Sequence, residues 1–405
     1  MKSSFRFANR LFFLALLAGM FASAAAAQQN ASLGSAEPVG SRSVVFNTTH
    51  QCELIDIPDA PARAFRDDKG MIHMVSSHYR LRQSIGPTLA TVKHRCEIAY
   101  DSHHDPNPAN WDDSTWVDSF FSIDGKNVVG LGHMEYHGWE HPGECFEQGN
   151  YSSECWYNGD TFHMSHDGGY HFNSFTPPAN YILSLPFPYL VNSGPEGYSI
   201  DTNIIKSGDW YYAIATGWNW PVGCGDFSSC FVHGGASPIR TNNITDPKSW
   251  RGWSGGDFSV QFTDPYAGPV VDPLDHVFTP VPIIDYANSI SYHPASGLFV
   301  ATLIDPFNQA YGPEGIYLST SPNLVSWSQP VLVVTIDKLL THEPPGNWTY
   351  AYASLLDDTS TDPNFSTIGD TPYLYYVRSD NNNCCYVRVL YRQKIKLTWT
   401  PRETK

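Results

Sequence analysis

Ser289-Ile290-Ser291-Tyr292-His293-Pro294-Ala295-Ser296-Gly297-Leu298-Phe299-Val300 is a branched and aromatic run, a tight turn containing Gly297, and a second apolar run. Two short β-favouring runs separated by Pro and Gly punctuation read as a hairpin. The same pattern lies at residues 62–75 around Lys69-Gly70, at 117–129 around Asp124-Gly125, and at 201–212 around Ser207-Gly208. It returns a fifth time at 353–356, where a longer excursion precedes Tyr373-Leu374-Tyr375-Tyr376-Val377. Long helical periodicity is absent from the chain beyond its first thirty residues, so the expected fold class is all-β.

Several of these units continue into a second hairpin. Ser165-His166-Asp167-Gly168-Gly169-Tyr170-His171-Phe172 resembles the Asp-box turn of sialidase-like propellers. The segments 240–250, ending in Trp250, and 319–327, ending in Trp327, are similar to the outer hairpins of clan F glycosidases. Two hairpins per unit make a four-stranded antiparallel sheet, and five units predict a five-bladed β-propeller, whose radial stacking leaves few exposed edges. A β-sandwich would have no reason to repeat a paired hairpin. The expected layout is a signal peptide at 1–27, an N-terminal extension at 28–50 and one propeller domain at 51–400. The largest insertion falls in the second unit, between His133 and Asp160.

Lys2, Arg6 and Arg10 precede the apolar run Leu11-Phe12-Phe13-Leu14-Ala15-Leu16-Leu17 and a small-residue tract ending at Ala27, the layout of a secretory signal. No run reaches the roughly 18 apolar residues of a membrane span, so a secreted or periplasmic soluble protein is expected. The net charge of -16 leaves nothing to neutralise phosphates, which argues against a nucleic-acid partner. Aromatic residues at 14% nearly equal charged ones at 16%, a balance that suits flat faces for sugar rings and predicts a carbohydrate ligand. Eight cysteines in an exported chain read first as disulfides. Cys145 with Cys155, and Cys224 with Cys230, bracket short loops as local staples. A bridge from Cys52 to Cys384 or Cys385 would close a ring, while Cys96 leaves other pairings open.

In a small propeller, polar residues at the start of each unit's first strand face a shared funnel. The carboxylates in that position are Asp59, Asp118, Glu196 and Asp201. Here the chain resembles the five-bladed glycosidases of clan F, particularly glycoside hydrolase family 43. The resemblance implies that Asp59, before Ala60-Pro61, is the general base. It implies that Asp118, in Trp116-Val117-Asp118, orients the acid and tunes its pKa. It also implies that Glu196, beside Gly197, is the general acid, with Asp201 as the rival. Glycoside hydrolysis needs one carboxyl protonated and a second ionised across the sugar, and the resemblance implies inversion through an activated water. Arg63 and Trp116 are candidate substrate-binding residues.

His133, Glu135 and His137 alternate along a strand and share a face, with Glu140, His141 and Glu144 following. His133 and His137 are read as a sugar-binding rim, and a divalent metal at His133, Glu135 and His137 is the less favoured reading. No cofactor is expected. The resulting expectation is an exported glycoside hydrolase working as a monomer. A non-catalytic carbohydrate-binding propeller and a polysaccharide lyase are the alternatives.

Overall fold

The computed structural model describes residues 31–218, 234–285, 287–305, 311–344, 346–383 and 386–401. The signal-peptide reading and the cysteines 224, 230, 384 and 385 lie outside the described residues. The fold is all-β. Among the described residues the only α-helix is the five-residue Ile336–Leu340, and the remainder is strand, turn and short 3-10 segments.

All five hairpins read from the sequence form. Arg63–Arg66 pairs with Ile72–Val75, Ser114–Ser122 with Val128–His137, and Ile205–Ser207 with Trp210–Trp218. Ala287–His293 pairs with Leu298–Asp305, and Trp348–Leu356 with Tyr373–Asp380. Further antiparallel strands extend each hairpin outward, giving sheets of eleven, five, four, four and two strands. The pattern of separate four-stranded sheets therefore holds around Arg63–Arg66 and Ala287–His293 but not in the middle of the chain. There Tyr157 and Asn158 pair in parallel with Glu196 and Gly197 and merge two units into one eleven-stranded sheet.

The stretch read as an N-terminal extension is part of a sheet. Ala31–Pro38 and Ser43–Phe46 both pair with the long last strand, Arg388–Pro401. Ends far apart in sequence are thus tied by backbone hydrogen bonds. Cys52 bonds Cys96 across 44 residues, which decides among the pairings the sequence left open and excludes a ring-closing bridge from Cys52 to Cys384 or Cys385. Cys145 and Cys155 form the local staple that their spacing predicts.

The hairpins' first strands meet one another side by side. Arg63–Arg66 lies against Ser114–Ser122, and Ala287–His293 lies against Trp348–Leu356. Side chains stitch the remaining seams. Ser119 Oγ donates to the Thr202 carbonyl, Asn203 exchanges two hydrogen bonds with the Ile290 backbone, and Arg66 donates to the Ser360 carbonyl. Apolar clusters fill the spaces between sheets, for example Phe121, Leu131, Ile200, Ala215 and Ile239.

The inner strands share one irregularity. The ladder between Ser114–Ser122 and Val128–His137 shifts so that Asp118 has no partner. The strand Ala287–His293 skips Asn288 in the same way, and Trp348–Leu356 skips Tyr352 and Ala353. Such bulges bend the strand and re-aim the side chain they free. Tyr352 also has φ 60, a left-handed backbone costing on the order of 1 kcal/mol that the surrounding structure must hold.

Candidate active site

The three bulged positions, Asp118, Asn288 and Tyr352, line one cavity of about 380 Å³, together with Asp59, Trp116, His133, Glu135, Tyr151, Trp156, Asp201 and Trp218. Freed from the ladders, the inner carbonyls need other donors, since a buried orphan carbonyl is costly. Arg63 supplies them: Nε donates to the Asp118 carbonyl at 3.2 Å, and one terminal nitrogen donates to the carbonyls of Asp201 at 3.0 Å and Asn288 at 2.8 Å. One buried guanidinium therefore ties three inner segments at the base of the cavity. Its own pKa is pushed down to about 10 by burial, against the pull of Asp118 and Asp201. Arg63, expected to bind substrate, does not line the cavity; it positions the residues that do.

Asp59 forms one wall. Its Oδ1 pairs with Arg388 and accepts from Tyr352 Oη at 2.8 Å. Its Oδ2 has longer contacts, 3.3 Å from Trp116 Nε1 and 3.3 Å from His78 Nε2. Burial lowers the His78 pKa, so His78 stands beside Asp59 as a neutral imidazole at neutral pH.

Asp118 and Asp201 line the same cavity, and among the described residues neither has an ion-pair partner within contact. Burial, reinforced by the charge of Asp201 and opposed by Arg63, pushes Asp118 up to about 8. Its Oδ1 has no hydrogen bond. Asp201 is raised by burial as well, although Ser199 Oγ donates to its Oδ1 at 2.6 Å and works against the shift. Behind them lies Asp160, fully buried, one oxygen bonded to the Ile200 amide and its pKa raised by burial and by both neighbours. Crowded buried carboxyls titrate as a group and share protons.

Glu196 is not in the cavity. It is 6% exposed, accepts from Ser193 Oγ at 2.8 Å, and lies in the neighbourhood of Tyr157, Tyr189 and Tyr266. Burial raises it to about 7 against that hydrogen bond. The adjoining glycine that made Glu196 look like a catalytic acid has a packing reason. Gly197 has φ 136, and a Cβ there would come within 2.3 Å of the Asn158 carbonyl oxygen.

Strand alternation brings His133, Glu135 and His137 to the same face, as expected; each is half-buried among buried neighbours. His133 and Glu135 reach the cavity, whereas His137 stands behind Glu135. Glu135 Oε2 is 2.9 Å from His137 Nε2, and Oε1 is 3.6 Å from His133 Nε2. Burial opposes protonation of His137, but Glu135 and Glu140 outweigh it and hold the imidazole near 9. Glu135 is an acidic cavity residue that its place in the sequence does not mark as such, because it lies on the second strand of its hairpin and alternates with histidines. Tyr151, Trp156, Trp218 and Tyr352 were likewise missed. Tyr151 and Trp156 come from the stapled insertion and its exit, and the Trp156 and Trp218 rings are 6.1 Å apart.

No family model and no curated protein matches the chain. Among solved structures it is similar to an α-L-arabinofuranosidase from Podospora anserina, at 10% identity and a TM-score of 0.46, covering 87% of this chain and 95% of that one. It is similar to the catalytic domain of a GH62 α-L-arabinofuranosidase from Coprinopsis cinerea, at 9% identity and a TM-score of 0.45, over 88% and 97%. A GH43_1 enzyme from Xanthomonas citri is similar at 11% identity and a TM-score of 0.45, over 88% and 89%. Superposition at that level carries no argument about chemistry, which has to come from the cavity itself.

Proposed function

We propose that this chain is an exported glycoside hydrolase on a five-bladed β-propeller, cleaving a neutral or weakly charged polysaccharide or oligosaccharide in the cavity between Asp59 and Asp201. The observation that carries the reading is the opposed pair of carboxyl environments in one aromatic-walled cavity. Glycosidic cleavage needs an acid holding its proton and a base across the sugar. Asp201, with Asp118 beside it, is the proton donor, since the pair retains protons that an exposed carboxyl would lose. Asp59, with Oδ2 only loosely engaged, is the base that takes a proton from water. Trp116, Trp156, Trp218 and Tyr151 provide faces for sugar rings, and the rim residue His133 provides a ring nitrogen for a hydroxyl.

Asp118 takes the tuning role. It is buried beside Asp201, and two carboxyl groups so placed cannot both ionise cheaply. The five-fold architecture is supported by the five recurring hairpins and by the seams that join one inner strand to the next. The working unit is a monomer, and no cofactor enters the chemistry.

The test is incubation of the purified mature protein with arabinans, xylans, fructans and marine polysaccharides, with products followed by chromatography. Release of reducing sugar is expected from at least one substrate. Asp201→Asn is expected to lower kcat by about 10³-fold with the melting temperature nearly unchanged. Binding of saccharide without turnover would leave a carbohydrate-binding propeller, and an unsaturated product absorbing in the near ultraviolet would indicate a lyase.

A further inference from the structure

On the flank of the cavity, three chain segments bring unlike donors together. His104 precedes the strand Ser114–Ser122, Asp113 immediately adjoins it, and Glu140 lies on the 3-10 turn Gly138–Glu140 at the start of the stapled insertion. One ligand atom from each, an imidazole nitrogen and two carboxylate oxygens, lies within 4.8 Å of both others. His104 Nδ1 is 3.6 Å from Asp113 Oδ1. Donors bound at the usual zinc distances stand about 3.4 Å apart in a tetrahedron, so the His104–Asp113 pair is already near that spacing and Glu140 is within reach of it.

A second observation points to a ligand. The Asp113 side chain is 1% exposed, and its two oxygens are treated differently. Oδ2 accepts from the His137 amide at 2.8 Å and contacts His141 Nε2 at 2.9 Å. Oδ1, the oxygen turned toward His104, is buried without a hydrogen-bond partner. Its polar neighbour is the His104 imidazole at 3.6 Å, outside hydrogen-bond range; a buried carboxylate oxygen so loosely engaged is costly, and a cation between it, His104 and Glu140 would remove that cost. The contacts on Oδ2 have the character of outer groups that aim a ligating carboxylate. His104 Nδ1 has two loose engagements, 3.6 Å from Asp113 Oδ1 and 3.3 Å from Ser114 Oγ, and the ring packs edge-on against Tyr79.

We propose that His104, Asp113 and Glu140 bind a divalent transition-metal ion of the zinc class, at a site distinct from the catalytic carboxylates. One nitrogen and two oxygens suit zinc, whereas calcium prefers six to eight oxygens. The site would also steady the cavity. Glu140 Oε1 lies 3.4 Å from His137 Nδ1, and the other nitrogen of that ring contacts Glu135 in the cavity wall.

Calorimetric titration of chelator-treated full-length protein with zinc chloride tests this directly, with cobalt absorption as a report on ligand type. One saturable ion per chain is expected, with affinity falling at least tenfold in His104→Ala and in Glu140→Gln. Both side chains are substantially exposed, so these variants should fold, and circular dichroism checks that they do. His166→Ala, which removes an exposed imidazole elsewhere, should bind zinc as the wild type does. Absence of saturable binding, unchanged affinity in both site variants, equal loss in His166→Ala, or tighter binding of calcium than zinc would each overturn the assignment.

Discussion

The two walls of the cavity carry the same functional group in opposite settings. Asp59 meets a guanidinium, a phenol and an indole N–H. Asp118 and Asp201 instead meet burial and each other, and the nearby guanidinium of Arg63 is spent on backbone carbonyls. An Arg side chain therefore stands near both sets of carboxyl groups with different consequences. Arg388 compensates a charge on a carboxylate, whereas Arg63 satisfies the carbonyls that three irregular inner segments release. The difference teaches that the residue type at a funnel position does not set its protonation; the donors reaching it from other sheets do.

Breaking the Asp59 side should cost most. Asp59→Asn removes the carboxylate charge that faces the guanidinium of Arg388, whose side chain is 11% exposed. Loss of one partner of such a pair costs about 3 kcal/mol, and denaturant unfolding should register it. Asp201→Asn should show no comparable loss, and an Arg388→Met change added to Asp59→Asn should recover part of the deficit. Equal destabilisation by Asp59→Asn and Asp201→Asn would erase the contrast.

The opposite wall should be visible as a pH dependence. In the fold Asp118 keeps its proton up to about pH 8, against an ordinary value of 3.8. Between those values the folded state binds more protons than the unfolded state. The associated stability is therefore fully present below the lower value and is lost as pH rises through the upper one. The slope approaches about 1.4 kcal/mol per pH unit for a single proton. Asp118→Asn should flatten the decline between pH 5 and 8 in thermal unfolding. A wild-type profile that is flat or rising there would contradict the assignment.

The smallest effect should come from the aromatic rim. Trp156→Ala should raise KM about tenfold, equivalent to roughly 1.4 kcal/mol, with kcat nearly retained. A loss confined to kcat would mean that the ring acts on the transition state and not on ground-state binding.

Much of the fold was legible because hairpin signals are local. Alternating β-branched and aromatic runs around Gly70, Gly125, Gly208 and Gly297 need no distant partner to be read, and each forms. The staple Cys145–Cys155 was legible for the same reason, since ten residues separate its ends. The Cys52 partner was not, because nothing local distinguishes Cys96 from Cys384 or Cys385. Nor was the merging of two sheets through Tyr157 and Glu196, which depends on glycine 197 allowing close approach to Asn158. The site divides in the same way. Asp59, Asp118 and Asp201 follow from their place near the first strand of a recurring unit, although Asp118 falls mid-strand in Ser114–Ser122 and Asp201 just past Glu196–Ile200. Glu196 shares that place but is turned into a tyrosine-rich interior. Arg388 stands 329 residues from Asp59 and leaves no signal near it.

The sequence by itself determined an all-β chain of recurring hairpins, strongly acidic and aromatic-rich. Those properties depend on side-chain period and turn chemistry over a few residues. Only the tertiary structure decided which carboxyl groups share the cavity and which of them retain a proton. Burial and charge pairing are set by neighbours on other sheets, and the carbonyls of Asp118, Asp201 and Asn288 meet only at Arg63, which a distant strand supplies.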